Sequence, residues 1–266
     1  MFSLTTRGAI PGLCVAFTLC TGLVAVSSRA DQLITNGGFE TGSFTGWLLA
    51  NQSNPSDISG GDHFYISTPG SLTPAIDGFQ FDTAANPAGG SFYAVTASDN
   101  PGAHALLQDF TVPTAATDLN LSFQMFVNDQ SGIGSVVDPS GLDYTTGGTF
   151  DANQHARVDI LRAGADDLST AAGDVVSSFY LGVDNPGGAV PNPYLHYSFD
   201  LSGVLTPGQS YRLRFAEADN LSSLNQGVDN VSLTAVTPEP GVLALLWGTA
   251  ITGGICLRRR RHTGRK

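Results

Sequence analysis

The sequence predicts an all-β fold, a β-sandwich of about ten strands, and three observations lead there. Period-two alternation recurs along the chain: Leu119, Leu121, Phe123, Met125 and Val127 share one face, with Asn120, Ser122 and Gln124 opposite. The composition holds 32 glycines, many Thr, Ser, Asn and Asp residues, and only 13% charged residues. That balance suits short strands joined by turns. No convincing long helical pattern interrupts the alternation.

The remaining elements follow in order. Strands are expected near 91–97, 104–112, 156–162 and 174–181. Tyr197, Phe199 and Leu201 alternate with Ser198, Asp200 and Ser202. Tyr211, Leu213 and Phe215 alternate with Arg212 and Arg214, and Val231, Leu233 and Ala235 with Ser232 and Thr234. Strands that are apolar on one side bury it by stacking as two sheets. Ala163–Ala172 reads as a short helix or a loop. Residues 51–90, with Pro55, Pro69, Pro74 and Pro87, and the polar stretch 128–153 read as irregular loops, the usual carriers of binding groups on a rigid sandwich. Trp47 is expected inside the core. Tyr65, Phe79, Phe81, Tyr144 and Tyr194 lie in polar stretches and are candidates for exposure.

Both ends differ from this middle. Residues 1–30 read as a secretory signal: Arg7 is the positive start, 9–26 are apolar or small, and Ser28-Arg29-Ala30 precedes a cut before Asp31. At the other end Pro238-Glu239-Pro240 is followed by 17 uncharged residues, 241–257, and then Arg258, Arg259, Arg260 and Arg261. As a helix that stretch would span roughly 26 Å, close to the ~30 Å of a bilayer core. The arginines would hold the far end in the cytoplasm and leave the domain outside. The expected organisation is therefore a leader (1–30), a sandwich domain (31–236) and a tail (237–266) whose transmembrane helix is 241–257.

Charge narrows the partners. The net charge of −11 conceals a middle with 22 of the 23 acidic residues and four basic ones, Arg157, Arg162, Arg212 and Arg214. Its formal charge is −18, with no lysine. Such a surface repels phosphate backbones, so nucleic acid is excluded as a partner, while divalent cations are attracted. Cys14, Cys20 and Cys256 all lie outside the middle, which leaves it no disulfide, thiolate metal site or cysteine nucleophile.

Pro238, Glu239, Pro240, the apolar stretch and the arginine cluster together resemble the PEP-CTERM sorting signal of exopolysaccharide-making bacteria. The resemblance implies handling by an exosortase, a membrane-embedded transpeptidase-like enzyme. It further implies transient anchoring in the inner membrane, then delivery to the cell surface or extracellular matrix. The two prolines suit a recognition peptide, because they keep the chain extended and outside the helix.

A second resemblance lies at the edges of the domain. Asn36-Gly37-Gly38-Phe39-Glu40 with Gly46-Trp47 opens it, and Gly227-Val228-Asp229-Asn230-Val231 closes it. The pair is similar to the galactose-binding-like jelly rolls, which include carbohydrate-binding modules. The likeness implies a jelly roll whose first and last strands are neighbours. It also implies a structural calcium, with Glu40 and Asp229 as carboxylate ligands and Gly38 giving a carbonyl. Calcium takes six to eight oxygens, so further ligands are required. The alternative role for Glu40 and Asp229 is to satisfy local turns and strand ends. Residues 212–220 with GVDNVSL further resemble a domain recurring in PEP-CTERM proteins.

Motifs for catalysis are missing: no G-x-S-x-G, H-E-x-x-H, phosphate loop or dinucleotide fingerprint occurs. His63, His104, His155 and His196 are isolated in sequence. The expectation is a non-enzymatic exported protein associated with polysaccharide. A structural or adhesive matrix component without a defined glycan, and a secreted hydrolase, are the alternatives.

Overall fold

A computed structural model describes residues 28–53, 63–68, 89–97, 101–129, 134–138, 141–144, 152–184, 191–221 and 224–238. The leader before Ser28, Phe79, Phe81, Glu239, Pro240, the apolar stretch 241–257 and Arg258–Arg261 lie outside them. Among the described residues no helix is long and apolar enough to cross a membrane.

Among the described residues eleven strands form in chain order: β1 (Ser28–Gln32), β2 (Leu48–Ser53), β3 (His63–Ser67), β4 (Tyr93–Ala97), β5 (Gly102–Thr111), β6 (Asp118–Asp129), β7 (His155–Arg162), β8 (Val175–Gly182), β9 (Leu195–Asp200), β10 (Ser210–Asp219) and β11 (Leu224–Pro238). They build two antiparallel sheets. The first runs β3-β4-β11-β6-β9, with β1 also on β11, and the second runs β2-β5-β10-β7-β8.

The alternating residues of β6 behave as expected. Leu121, Phe123, Met125 and Val127 are fully buried between the sheets, facing Val158 and Ile160 of β7 and Leu213 and Phe215 of β10 within one core. Phe123 meets Phe215 edge-on at 5.1 Å. Trp47 is buried as expected, 5.5 Å from Phe39 and 6.2 Å from Phe215. Each such large apolar side chain contributes about 1.5–3 kcal/mol by leaving water.

The two chain ends of the domain pair as neighbours. β1 lies antiparallel to β11, with Ser28 opposite Pro238 and Gln32 opposite Thr234. Three residues of the expected leader, Ser28–Ala30, thus stand against Val236–Pro238. Two strands fall in the segment read as irregular: β2 extends to Ser53, and β3 covers His63–Ser67. The stretch after β7 contains turns and no helix. It folds over the outer face of the second sheet, where Ala165 and Leu168 meet Ala103, Ala105, Leu107, Leu161, Ala216 and Ala218.

That cover changes the fate of the β10 arginines. Arg214 lies on the outward face yet is fully buried. It donates to Asp159 Oδ2 from Nε (3.1 Å) and Nη2 (2.6 Å), and its Nη1 donates to the carbonyls of Asp167 (2.9 Å) and Ser169 (2.8 Å). Arg157 and Ser178 donate to the same Asp159 carboxylate. Arg212, nearer the margin, pairs with Asp109 and Asp167.

Candidate cation site at the β11 bulge

The loop between β1 and β2 is set by its own polar groups. Asn36 adopts φ 52° and donates through Nδ2 to the carbonyls of Ser43 (2.8 Å) and Thr45 (3.3 Å), while Trp47 Nε1 donates to the Asn36 carbonyl (3.1 Å). Phe39, at φ 56°, closes a turn by donating to the same carbonyl. The loop then presses on β11: Val231 N–H donates to the Gly37 carbonyl at 2.9 Å. A Cβ on Gly37 would stand 1.9 Å from the Val231 carbonyl oxygen, so only glycine permits this approach.

β11 is irregular at the same level. Its register against β6 shifts between Asp229 and Ser232, and Asn230 takes φ 48°. A bulge of this kind re-aims side chains. Asp229 Oδ1 accepts the N–H of Asn230 at 2.6 Å. Its Oδ2 is buried and has no hydrogen-bond partner. Burial, and then the charge of Glu40, push the Asp229 carboxyl up to about 7, against the opposing Asn230 N–H. Asn230 Nδ2 donates to Gln124 Oε1 across the ladder at 3.1 Å.

Glu40 reaches the site from the loop side. Its Oε1 accepts the N–H groups of Ser91 (2.8 Å) and Phe92 (3.1 Å). The carboxylate lies so close to Gly90 that a Cβ there would stand 2.0 Å from Oε1. Gly38 lies between the partners: a Cβ on it would be 3.4 Å from Asn230 Oδ1 and 3.9 Å from Asp229 Oδ1. The structure therefore brings Gly38, Glu40 and Asp229 to one place and adds Asn230. Sequence reasoning missed Asn230 as a contributor, although it adjoins Asp229.

The donor chemistry suits a hard cation: two carboxylates, one with a buried oxygen lacking a partner, and an amide. Among the described residues no third His, Cys, Asp or Glu joins them. Further ligands among the described residues would be neutral oxygens.

The histidines are distributed rather than gathered. His104 faces the core, is bound through Nδ1 to Asn51 Oδ1 at 3.1 Å, and is pushed down to about 4 by burial and then by His63. His155 is likewise buried and pushed down to about 4, chiefly by burial. His196 is exposed on β9. Of the aromatics expected at the surface, Tyr65 stacks on His63 at 3.9 Å. Tyr144 packs under the covering loops of the second sheet, and Tyr194 packs edge-on against Tyr93 and Phe126.

No family model and no curated protein matches this sequence. Solved structures similar to it include the carbohydrate-binding module TmCBM61 in complex with beta-1,4-galactotriose (10% identity, 79% of this chain and 99% of that one, TM-score 0.42). Another is the CBM22-1 xylan-binding domain of Paenibacillus barcinonensis Xyn10C (10% identity, 81% and 100%, TM-score 0.39). A third is the enzymatically active domain of tailspike protein 4 of bacteriophage CBA120 (12% identity, TM-score 0.42), of whose length this chain spans 21%. Likenesses this distant assign neither family nor ligand to the chain.

Proposed function

We propose that this chain is an exported, non-enzymatic surface or matrix protein that a sorting enzyme handles through its tail and that associates with extracellular polysaccharide. The observation that carries the reading is the order Pro238-Glu239-Pro240, uncharged 241–257, Arg258–Arg261 directly behind a sandwich domain. β11 runs from Leu224 to Pro238, so the domain ends where the motif begins. After a cut before Asp31, β1 keeps only Asp31 and Gln32 against β11, and Thr237 and Pro238 lose their strand partners. The motif would then stand clear of the domain, within reach of an enzyme in the membrane.

Calcium belongs to the same reading. Bound by Glu40, Asp229 and neighbouring neutral oxygens, it would clamp the β1–β2 loop to the β11 bulge and so hold the opening and closing segments together.

The test replaces Pro238, Glu239 and Pro240 by alanine and follows the chain in a producing cell by fractionation and immunoblotting. The expected outcome is full-length protein retained in the membrane. Normal release or surface display of the variant would refute the sorting role.

A further inference from the structure

Leu195, Tyr197 and Phe199 of β9 stand opposite Met125, Phe123 and Leu121 of β6, and share their inward direction. β9 is the last strand of its sheet, and β8 is the last strand of the other. Among the described residues no further strand covers that side, and inward-pointing residues reach solvent. Leu195 is 45% exposed, and Tyr197 and Phe199 are partly buried. Across the gap Phe179 lies 4.9 Å from Phe199, and Tyr180 lies 5.7 Å edge-on from Tyr197. The rings form a seam between the two sheet edges.

At the Leu195 end lies a cavity of about 380 Å³, lined by Val183, Asp184, Asn192, Pro193 and Leu195. Its polar groups are fixed. Tyr180 Oη donates to Asp184 Oδ1 (2.7 Å), and the Val127 N–H donates to Oδ2 (2.8 Å). Asn192 Nδ2 donates to the carbonyls of Val127 (2.9 Å) and Asp184 (3.1 Å). Burial raises the Asp184 carboxyl, and burial followed by the Asp184 charge pushes Tyr197 up to about 12.

We propose that this cleft is a binding site for the sugar rings of a neutral polysaccharide. The proposal rests on the polysaccharide reading above and gives it a place and a chemical class. The apolar lining of Val183, Pro193 and Leu195 suits the C–H faces of pyranose rings, and the fixed Asp184 carboxylate and Asn192 amide suit their hydroxyls. The cavity lies within the ~300–1,000 Å³ usual for small-ligand pockets.

Charge decides between neutral and acidic chains. The domain holds 22 acidic residues, no lysine and four arginines. Arg157 and Arg214 are spent on Asp159, Arg212 on Asp109 and Asp167, and Arg162 Nε on the Gly173 carbonyl. All four lie on β7 and β10, none on the edge strands β8 and β9. A polyuronate or sulfated chain in the cleft would meet acidic groups, with no arginine on β8 or β9 to receive it.

The test is native affinity electrophoresis of the full-length chain in detergent, in gels containing dextran, galactan, xylan or polygalacturonate, with chelator present. The decisive variant is Leu195→Arg, whose long side chain fills the cavity from a solvent-facing position. Tyr180→Phe is the second, since it keeps the ring and frees Asp184. Retardation by at least one neutral polysaccharide is expected, weakened at least about tenfold by Leu195→Arg with the thermal midpoint unchanged. Weaker retardation of Tyr180→Phe would add support should Leu195→Arg fail to fold. Equal retardation of wild type and folded variants would overturn the cleft and leave the proposed function standing. Stronger retardation by polygalacturonate than by any neutral chain would overturn the class. No retardation in any gel would overturn both readings.

Discussion

The Asp159 carboxylate is the point at which this domain is most sensitive to a single atom group. Replacing Asp159 by alanine leaves two guanidinium groups facing each other, with side-chain exposures of 8% for Arg157 and 0% for Arg214. Burial opposes ionisation of Asp159, yet the hydrogen bonds and charges of Arg157 and Arg214 hold it below the usual carboxylate range. For the carboxylate the pairing outweighs burial, whereas for Arg214 burial is the larger influence and holds its guanidinium below the usual range. Removing one partner of a buried ion pair costs about 3–5 kcal/mol, because the other charge stays behind without compensation. Arg214 retains the Asp167 and Ser169 carbonyls, which keeps the expected loss within that range rather than doubling it. Domains are stable by only about 5–15 kcal/mol, so the variant should lose about a fifth of its stability or more. Urea unfolding followed by circular dichroism measures this directly, as a lower midpoint at unchanged slope. A loss below about 1 kcal/mol would show that water reaches both arginines, and would refute the argument that the 163–174 loop seals that face.

Two further outcomes are expected. His104 and His155 are both pushed down to about 4, so each stays neutral when folded and takes up a proton when unfolded. Their contribution is complete above the unfolded value near 6.5 and is lost as pH falls toward 4, by up to about 3 kcal/mol each. Asp229, pushed up to about 7, takes up a proton in the folded chain over the same interval and works in the opposite direction, so the readout is a difference between proteins: in thermal unfolding between pH 7 and 4, His104→Asn should lose less stability, or gain more, than the wild type. Calcium should raise the thermal midpoint of the wild-type chain, and Asp229→Asn or Glu40→Gln should reduce that rise at fixed pH. An equal rise in all three proteins would place the ion elsewhere.

Much of this was legible from residue patterns. The alternation in 119–127 and 211–215 specified core faces, because a period of two leaves each side chain only one choice of side. The adjacency of the domain's ends, and of Glu40 with Asp229, followed from the two edge motifs. Other features depended on contacts distant in sequence. β2 and β3 lie among prolines and glycines, and they are strands because β5 and β4 offer them ladders. Arg212 and Arg214 alternate identically, yet one sits at the margin and the other is sealed, since the covering loop after β7 decides which carbonyls are near. Asn230 could have been found from its place beside Asp229 in a segment rich in turn-forming residues. The cleft between β8 and β9 could not, because the alternation of Tyr197 and Phe199 gives their facing side but not that β9 is the last described strand of its sheet.

One consequence concerns mechanics. β11 is laddered to β6 from Leu224 to Asp229 and again from Ser232 to Val236, and it ends at Pro238, where the tail begins. Tension applied through the tail would act along this strand, parallel to its own length. Hydrogen bonds across such a ladder share the pull and must slide together, rather than open one after another. A copy held by its tail under load would therefore resist extraction of its last strand through both laddered stretches of its first sheet.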